Sequence, residues 1–245
     1  STTLSCFNIT FGAATTGSGG YESKGTIIEN NRMEFGYGGV NSRSSSLAAN
    51  TSDITIFNNI FRNHYYSAFY GNYSSNINFD KNDIQMLSNN VSYPVYLSYG
   101  NNVKITRNNI RNIGNSGIYL FSGNNYDIIN NMLTDFNNTN ASTQGIYCYF
   151  TNTTKTWHNT IIFNPQTLST TGTIAAINHY YANGADYKNN ILIYKGTNTR
   201  PVLFYKFPAS GYLPTIDHNI YNTDNGNYYT ENFTSYINTL QDWKN

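Results

Sequence analysis

Apolar residues fall in short alternating runs that return at nearly constant distance along the chain, each run passing through a conspicuous asparagine. The series reads Asn31, Asn58, Asn82, Asn108, Asn130, Asn159 and Asn189, with His218 in the eighth place, in steps of 22 to 30 residues. Two residues beyond each stands an apolar side chain: Met33, Ile60, Ile84, Ile110, Met132, Ile161, Ile191 and Ile220. A second series sets a small or turn-forming residue before an apolar one, at Gly39-Val40, Ser67-Ala68, Pro94-Val95, Gly117-Ile118, Gly145-Ile146, Thr173-Ile174 and Pro201-Val202. A third precedes the asparagines: Ile28, Ile56, Phe79, Ile105, Ile128, Trp157, Tyr187 and Ile216. Alternation at period two predicts strands whose alternate side chains point inward. Self-similarity at this length predicts a solenoid with one turn per repeat.

The repeats are related by translation rather than mirrored, so strands of successive turns should pair in parallel instead of forming hairpins. An asparagine at the sharp corner can bond the amide one turn above and one below, which satisfies polar groups that a lone buried asparagine could not. It also tolerates the left-handed backbone of a tight corner. The expected fold is therefore all-β: a right-handed parallel β-helix solenoid of about eight rungs with an asparagine ladder. Its hand follows the strong bias of parallel crossovers.

Through rungs such as Val103-Lys104-Ile105-Thr106-Arg107-Asn108-Asn109-Ile110 and Ile54 to Ile60, the chain resembles the right-handed parallel β-helix repeat family. These are pectate-lyase-like solenoids of secreted and surface bacterial proteins, and the resemblance spans roughly residues 26 to 222. It implies the fold, while the family's polysaccharide lyases, epimerases and surface proteins share no single chemistry. The ending, Asp217-His218-Asn219-Ile220-Tyr221 and then Leu240-Gln241-Asp242-Trp243, resembles the closing region of β-helix modules in large bacterial surface proteins. One domain is expected over residues 1–245, with a cap or partial rung over 1–25, where Leu4, Phe7, Ile9 and Phe11 alternate. Regular rungs should fill 26–222, and 223–245 should cap the stack or begin a continuation. The abrupt start at Ser1 and the family resemblance together suggest a piece of a larger protein.

Composition narrows the partners. Only 11% of residues are charged, with a net charge of +1, so neither nucleic acid nor membrane insertion is expected. Cys6 and Cys148 fall about five rungs apart, roughly 24 Å at the spacing of strands in a sheet. A disulfide needs Cα atoms within about 7 Å, so these two should not be bridged. N-x-S/T triplets at Asn8, Asn50, Asn72, Asn90, Asn137, Asn140, Asn152 and Asn232 are potential glycan acceptors, although a composition rich in Asn, Ser and Thr produces several by chance.

Candidate chemistry is sparse. A pectin-type lyase needs an Arg or Lys base and acids on adjacent rungs that hold Ca²⁺. The nearest approach is Asp80 and Asp83 with Arg107 on the next rung, interrupted by Lys81. The tetrad Ile216-Asp217-His218-Asn219 resembles the aspartate-histidine motif of some pectate lyases, although His218 also simply takes the asparagine's corner. Asn222-Thr223-Asp224 is a faint echo of the aspartate cluster of inverting glycosidases. His64, His158, His179 and His218 lack metal-ligand spacing, so no metal or other cofactor is expected, with Ca²⁺ entering only if the chain is a lyase.

Aromatic residues make the stronger pattern. Phe69, Tyr96, Tyr119 and Tyr147 should point outward on four consecutive rungs, with Phe121, Tyr149 and Tyr205 in a parallel column. Such strips suit sugar rings, and they equally suit cross-strand stacking that stabilises the sheet. A basic stripe of Lys81, Arg107, His158 and Lys188, interrupted by Ile129, would favour acidic glycans. The expectation is an extracellular or cell-surface module, a rigid adhesin-like scaffold touching polysaccharide or other surface components and flanked by further domains. A polysaccharide lyase or related glycan-active enzyme is the alternative.

Overall fold

The computed structural model describes residues 7–12, 23–46, 51–88, 91–137, 142–164, 174–195, 202–207, 214–224, 227–231 and 235–237. These residues build a parallel β-solenoid, with strands and turns but no helix among them. Each turn lays strands on three faces. The first face carries Gly38–Arg43, Ser67–Asn72, Thr143–Tyr149 and Ile174–Tyr180; the second carries Thr51–Phe57, Ser74–Asp80 and Asn152–Trp157. The third carries Ile60–Arg62, Asp83–Gln85, Asn109–Arg111 and Thr160–Phe163. Two long strands, Val95–Thr106 and Ser116–Ile129, bend around a corner and serve both the first and second faces. Those two faces therefore join in one 16-stranded sheet, while the third is a separate 8-stranded sheet.

Pairing is parallel throughout the described strands except at the end, where Ser235–Ile237 runs antiparallel to Asn227–Glu231. At the start, Phe7–Gly12 pairs with Gly38–Arg43 and places Ile9 over Val40, whereas Leu4 lies outside the described residues. From Ile27 to Tyr180, six turns have all three strands described; later strands extend the stack with side chains described only in part. The regular stack is thus about six turns. The spacing suggests about eight because it counts every asparagine corner, including those beyond Tyr180.

Three inward columns fill the solenoid. Val40, Phe69, Val95, Ile118, Ile146, Ile177 and Phe204 stack on the first face. On the second, Ile28, Ile56, Phe79, Ile105, Ile128, Thr156, Tyr187 and Ile216 align. On the third, the column is Met33, Phe61, Ile84, Ile110, Leu133, Ile161, Leu192 and Tyr221. Most of these side chains are fully buried, each stabilising the fold by about 1.5–3 kcal/mol relative to exposure. Small residues are forced where the third face turns into the first. A Cβ on Gly145 would lie 2.4 Å from the Ala176 carbonyl and 2.7 Å from Ile161 Cγ2.

The corner between the second and third faces holds the amides, and here half of the expected positions shift by one residue. The bonded series is Asn31, Asn59, Asn82, Asn108, Asn131, Asn159, Asn190 and Asn219, each Nδ2 donating to the next Oδ1 at 2.9 to 3.3 Å. Asn82 shows how completely an interior member is satisfied. Its Oδ1 accepts from the backbone N and Nδ2 of Asn59, and its Nδ2 donates to the Ile56 carbonyl and to Asn108. Steps between members range from 23 residues, Asn108 to Asn131, to 31, Asn159 to Asn190, with bonds of 2.9 and 3.1 Å.

Asn58, Asn130, Asn189 and His218, expected in the ladder, instead precede it. They share their place with Asn30, Lys81, Arg107 and His158, and all eight adopt φ between 51° and 59°. The left-handed strain therefore falls on the residue before each ladder asparagine. The slip carries through period two: Ile60, Met132, Ile191 and Ile220 point outward, with Met132 45% and Ile220 58% exposed. Trp157 likewise faces out and Thr156 in. On the first face Phe69, Ile177 and Phe204 take the inward places expected of Ala68, Ile174 and Val202.

Candidate functional site

The first face presents a wall of phenyl and phenol rings. Outward from its strands run Tyr70, Tyr96, Tyr119 and Tyr147 in register, beside Phe121, Tyr149 and Tyr180 in the next column. Phe69 does not belong to this wall; it is buried and stacks on Phe79 at 5.4 Å, so Tyr70 is the outward residue of that turn. Tyr205 pairs with Asn178, which pairs with Tyr147, so the backbone register puts it in the first column, not beside Tyr149.

Ring geometry divides the wall into two parts. Tyr70 lies flat on Tyr96 at 4.8 Å with an interplanar angle of 1°, and Tyr96 on Tyr119 at 5.0 Å and 23°. Rings stacked along the solenoid axis cover one another's faces and turn edges and hydroxyls outward. Arg43 caps this stack 4.6 Å over Tyr70, while Tyr66 and Tyr93 pack against it from the preceding corner. Between Tyr119 and Tyr147 the angle opens to 78°. From there the rings of Tyr147, Tyr149, Phe150 and Tyr180 meet at tilted or edge-on angles, and Phe150 is 46% exposed. The two columns are thus a flat stack at one end and tilted at the other, where Phe150 alone of these four rings lies flat, on Tyr181 at 4.9 Å and 1°. Burial, followed by the neighbouring phenols Tyr70, Tyr93 and Tyr99, pushes the Tyr96 hydroxyl up to about 12. Burial raises Tyr66, Tyr93 and Tyr119 as well. These hydroxyls stay protonated and serve as neutral donors.

Asp80 and Asp83 stand on different faces, separated by the corner at Lys81-Asn82. Asp80 Oδ1 accepts from Arg107 Nε at 2.8 Å and from Thr106 Oγ1 at 2.6 Å, and Oδ2 accepts from Arg107 Nη2 at 2.5 Å. Burial alone would raise its pKa, but these bonds and the charges of Arg107 and Lys81 outweigh it and hold the carboxyl below its ordinary value. Asp83 is clamped between Arg62 of the turn before and Arg111 of the turn after, with Asn109 donating to Oδ1 at 3.0 Å. Its carboxyl too is held low, the arginine bonds outweighing burial. The Asp80 bonds in turn raise the Arg107 pKa, which opposes the proton loss a base requires. The arrangement joins acids to bases in pairs and leaves no acid or base of this group poised to exchange protons.

The basic stripe also divides. Lys81, Arg107 and His158 occupy the left-handed corner, whereas Lys188 sits one column away, in register with Trp157 and Asp217 and 3.0 Å from Asp186. His218 Nδ1 lies 2.8 Å from Asp217 Oδ1, both exposed, and Asp224 Oδ1 lies 3.3 Å from Lys195 Nζ. His64 and His179 are sealed in the interior. His179 Nδ1 meets the Tyr187 hydroxyl at 3.0 Å, beside the free thiol of Cys148, which burial pushes up to about 12. Cys6 lies outside the described residues. Among the described residues no group of three His, Cys, Asp or Glu side chains is placed to hold a metal ion. Of the possible glycan acceptors, Asn8 and Asn152 are exposed, but Asn72 is buried and accepts from Ser98 at 2.7 Å; Asn50, Asn90, Asn140 and Asn232 lie outside the described residues.

Sequence reasoning missed a polar trough on the second face. Two adjoining depressions of about 220 and 580 Å³ share Asn102 and Lys104 as lining. A signal for it was present in the aligned strings Asn101-Asn102-Val103-Lys104, Asn124-Asn125-Tyr126-Asp127 and Asn152-Thr153-Thr154-Lys155, which each open on an amide, paired in the first two, and carry a charge three places after it. Tyr66, Tyr70 and Tyr93 were missed as members of the aromatic wall for want of the right register.

The family model described as a right handed beta helix region matches residues 7–192. Comparison with curated proteins gives no match, and comparison with solved structures gives none.

Proposed function

The chain belongs to the right-handed β-helix family, and on that premise we propose a rigid secreted or cell-surface scaffold that contacts carbohydrate through its aromatic face. One observation carries the reading: in two adjacent outward columns, Tyr70 to Tyr147 and Phe121 to Tyr180, the aromatic residues follow turn after turn with no carboxylate among them. Broad half-exposed apolar surface of this kind marks contact sites more often than idle surface. The stacked segment, Tyr70 to Tyr119, stiffens the sheet. The opened segment, Tyr147 to Tyr180, presents tilted rings to the C–H faces of pyranoses and hydroxyls to their oxygens. The ladder beneath keeps the face straight, since stability in a solenoid is summed turn by turn.

Glycan-array and calorimetric measurements test this directly. Neutral oligosaccharides should bind the native protein, and Tyr147→Ala or Phe150→Ala should weaken binding with little change in melting temperature. Tyr119→Ala should instead lower the melting temperature. Silence across the array, with all three variants altering stability alone, would leave the wall a purely structural device. The lyase alternative needs a free acid or base, and Asp80, Asp83 and Arg107 are each engaged in ion pairs.

A further inference from the structure

We infer that the trough on the second face is a second binding site, separate from the aromatic wall, for a linear polysaccharide carrying one carboxylate for every two sugar rings. Its inner wall is a row of exposed amides at the corner between the first and second faces. Asn76 Nδ2 donates to Asp53 Oδ1 at 2.9 Å, Asn102 to Asn76 at 3.2 Å, and Asn125 to Asn102 at 3.0 Å. Each amide spends one N–H on this row and keeps a second, so one donor per turn remains for a ligand. Turns stand about 4.8 Å apart, so the row is a regular comb of hydrogen-bonding groups along the axis.

The outer wall is a column that begins with Asn78 and continues as four charges of alternating sign. Asn78, Lys104, Asp127, Lys155 and Asp186 lie in register on successive turns. Lys104 is the informative member. It is exposed, and among the described residues it is the one lysine or arginine with no ion pair, hydrogen bond or ring contact, in a molecule that otherwise engages its long cationic side chains. Lys155 follows two turns on and reaches Asp127 only at 3.7 Å. Two lysines two turns apart, about 9.6 Å, span a distance comparable to a pair of linked pyranoses. Asp127 between them accepts sugar hydroxyls and repels an anion, so a carboxylate on every ring is disfavoured and one on alternate rings fits.

A third observation is the strained wall residue Thr153. Where its neighbours in the corner are Asn102, Asn125 and Gly184, this β-branched side chain is held at φ 51°, a conformation such residues rarely adopt. It breaks the amide comb beside Lys155 and puts a shorter side chain at the trough's end.

Titration calorimetry on the whole chain decides the matter, with three probes of equal length. Hyaluronan oligosaccharides carry one carboxylate per two rings, oligogalacturonates one per ring, and cello-oligosaccharides none. Hyaluronan oligosaccharides should bind tightest, and Lys104→Ala, an exposed change with unaltered melting temperature, should weaken that binding about tenfold, as expected for one charge-assisted contact. Tyr147→Ala should leave it unchanged, so the aromatic proposal can fail while this one stands, and the reverse. Equal or tighter binding of oligogalacturonate, equal binding by Lys104→Ala, or no binding of any probe would each overturn the inference.

Discussion

Asn82 and Asn102 perform the same act at opposite corners of the solenoid, each donating an amide bond to a counterpart one turn away, at 3.0 and 3.2 Å. Asn82 is 1% exposed, and its four bonds satisfy backbone and side-chain groups that no water reaches. Asn102 is exposed, and water can take over any bond it loses. A buried unsatisfied group costs about 1–3 kcal/mol, while a solvated one costs almost nothing, so equal geometry carries unequal energy. The buried stack holds the fold; the exposed one is free to trade its bonds for those of a ligand.

The contrast can be broken by four measurements. The largest effect belongs to Asn108→Ala, which removes the acceptor of the Asn82 backbone N–H and Nδ2 and the side-chain donor to the Phe79 carbonyl and Asn131 Oδ1; it should lower unfolding free energy by about 3–5 kcal/mol in urea titrations. Next is the ion pair of buried Asp80 with half-exposed Arg107. The folded-state pKa of Asp80 is depressed, so its stabilisation is present above the ordinary carboxylate pKa and is lost as pH falls through the lower folded value. Urea midpoints followed from pH 7 downward should fall in acid for the native chain and fall less for Asp80→Asn, which should also start lower at neutral pH. Thr153→Asn comes third. It removes a β-branched side chain from the left-handed corner and lets the exposed comb continue, so stability should rise by about 1 kcal/mol. Smallest is Asn102→Gly, which removes the amide but keeps a residue at home at φ 54° and should change unfolding free energy by less than about 0.5 kcal/mol. If Asn102→Gly and Asn108→Ala cost the same, solvent is not what separates the two stacks.

The parallel solenoid was legible in the sequence because three apolar series recur together, and translation of like onto like leaves few alternatives. The exact corner residue was not, wherever two polar candidates adjoin. At Asn58-Asn59, Asn130-Asn131, Asn189-Asn190 and His218-Asn219 either residue fits a corner, and choosing the first reverses the side of every residue that follows. A constant offset would have settled it. Each ladder asparagine stands three places after the inward residue of the second face, as Ile28 to Asn31, Ile56 to Asn59 and Thr156 to Asn159 do. Thr156 hid that rule, since a buried threonine beside Trp157 does not look like core. The aromatic wall was visible in outline but not in its division, because ring orientation is decided by packing between turns. The trough escaped because its members are polar and lie on a face whose inward residues drew attention first.

The variable spacing of the ladder has one more consequence. Eight additional residues between Asn159 and Asn190, compared with Asn108 and Asn131, leave the amide bond almost unchanged, at 3.1 against 2.9 Å. Most of the added residues fall in sequence where the third face gives way to the first, between the strands Thr160–Phe163 and Ile174–Tyr180. That bend is therefore the natural point for inserting or deleting segments: a lineage could acquire or shed a loop there, and with it a new binding chemistry, without retuning the rod that carries it.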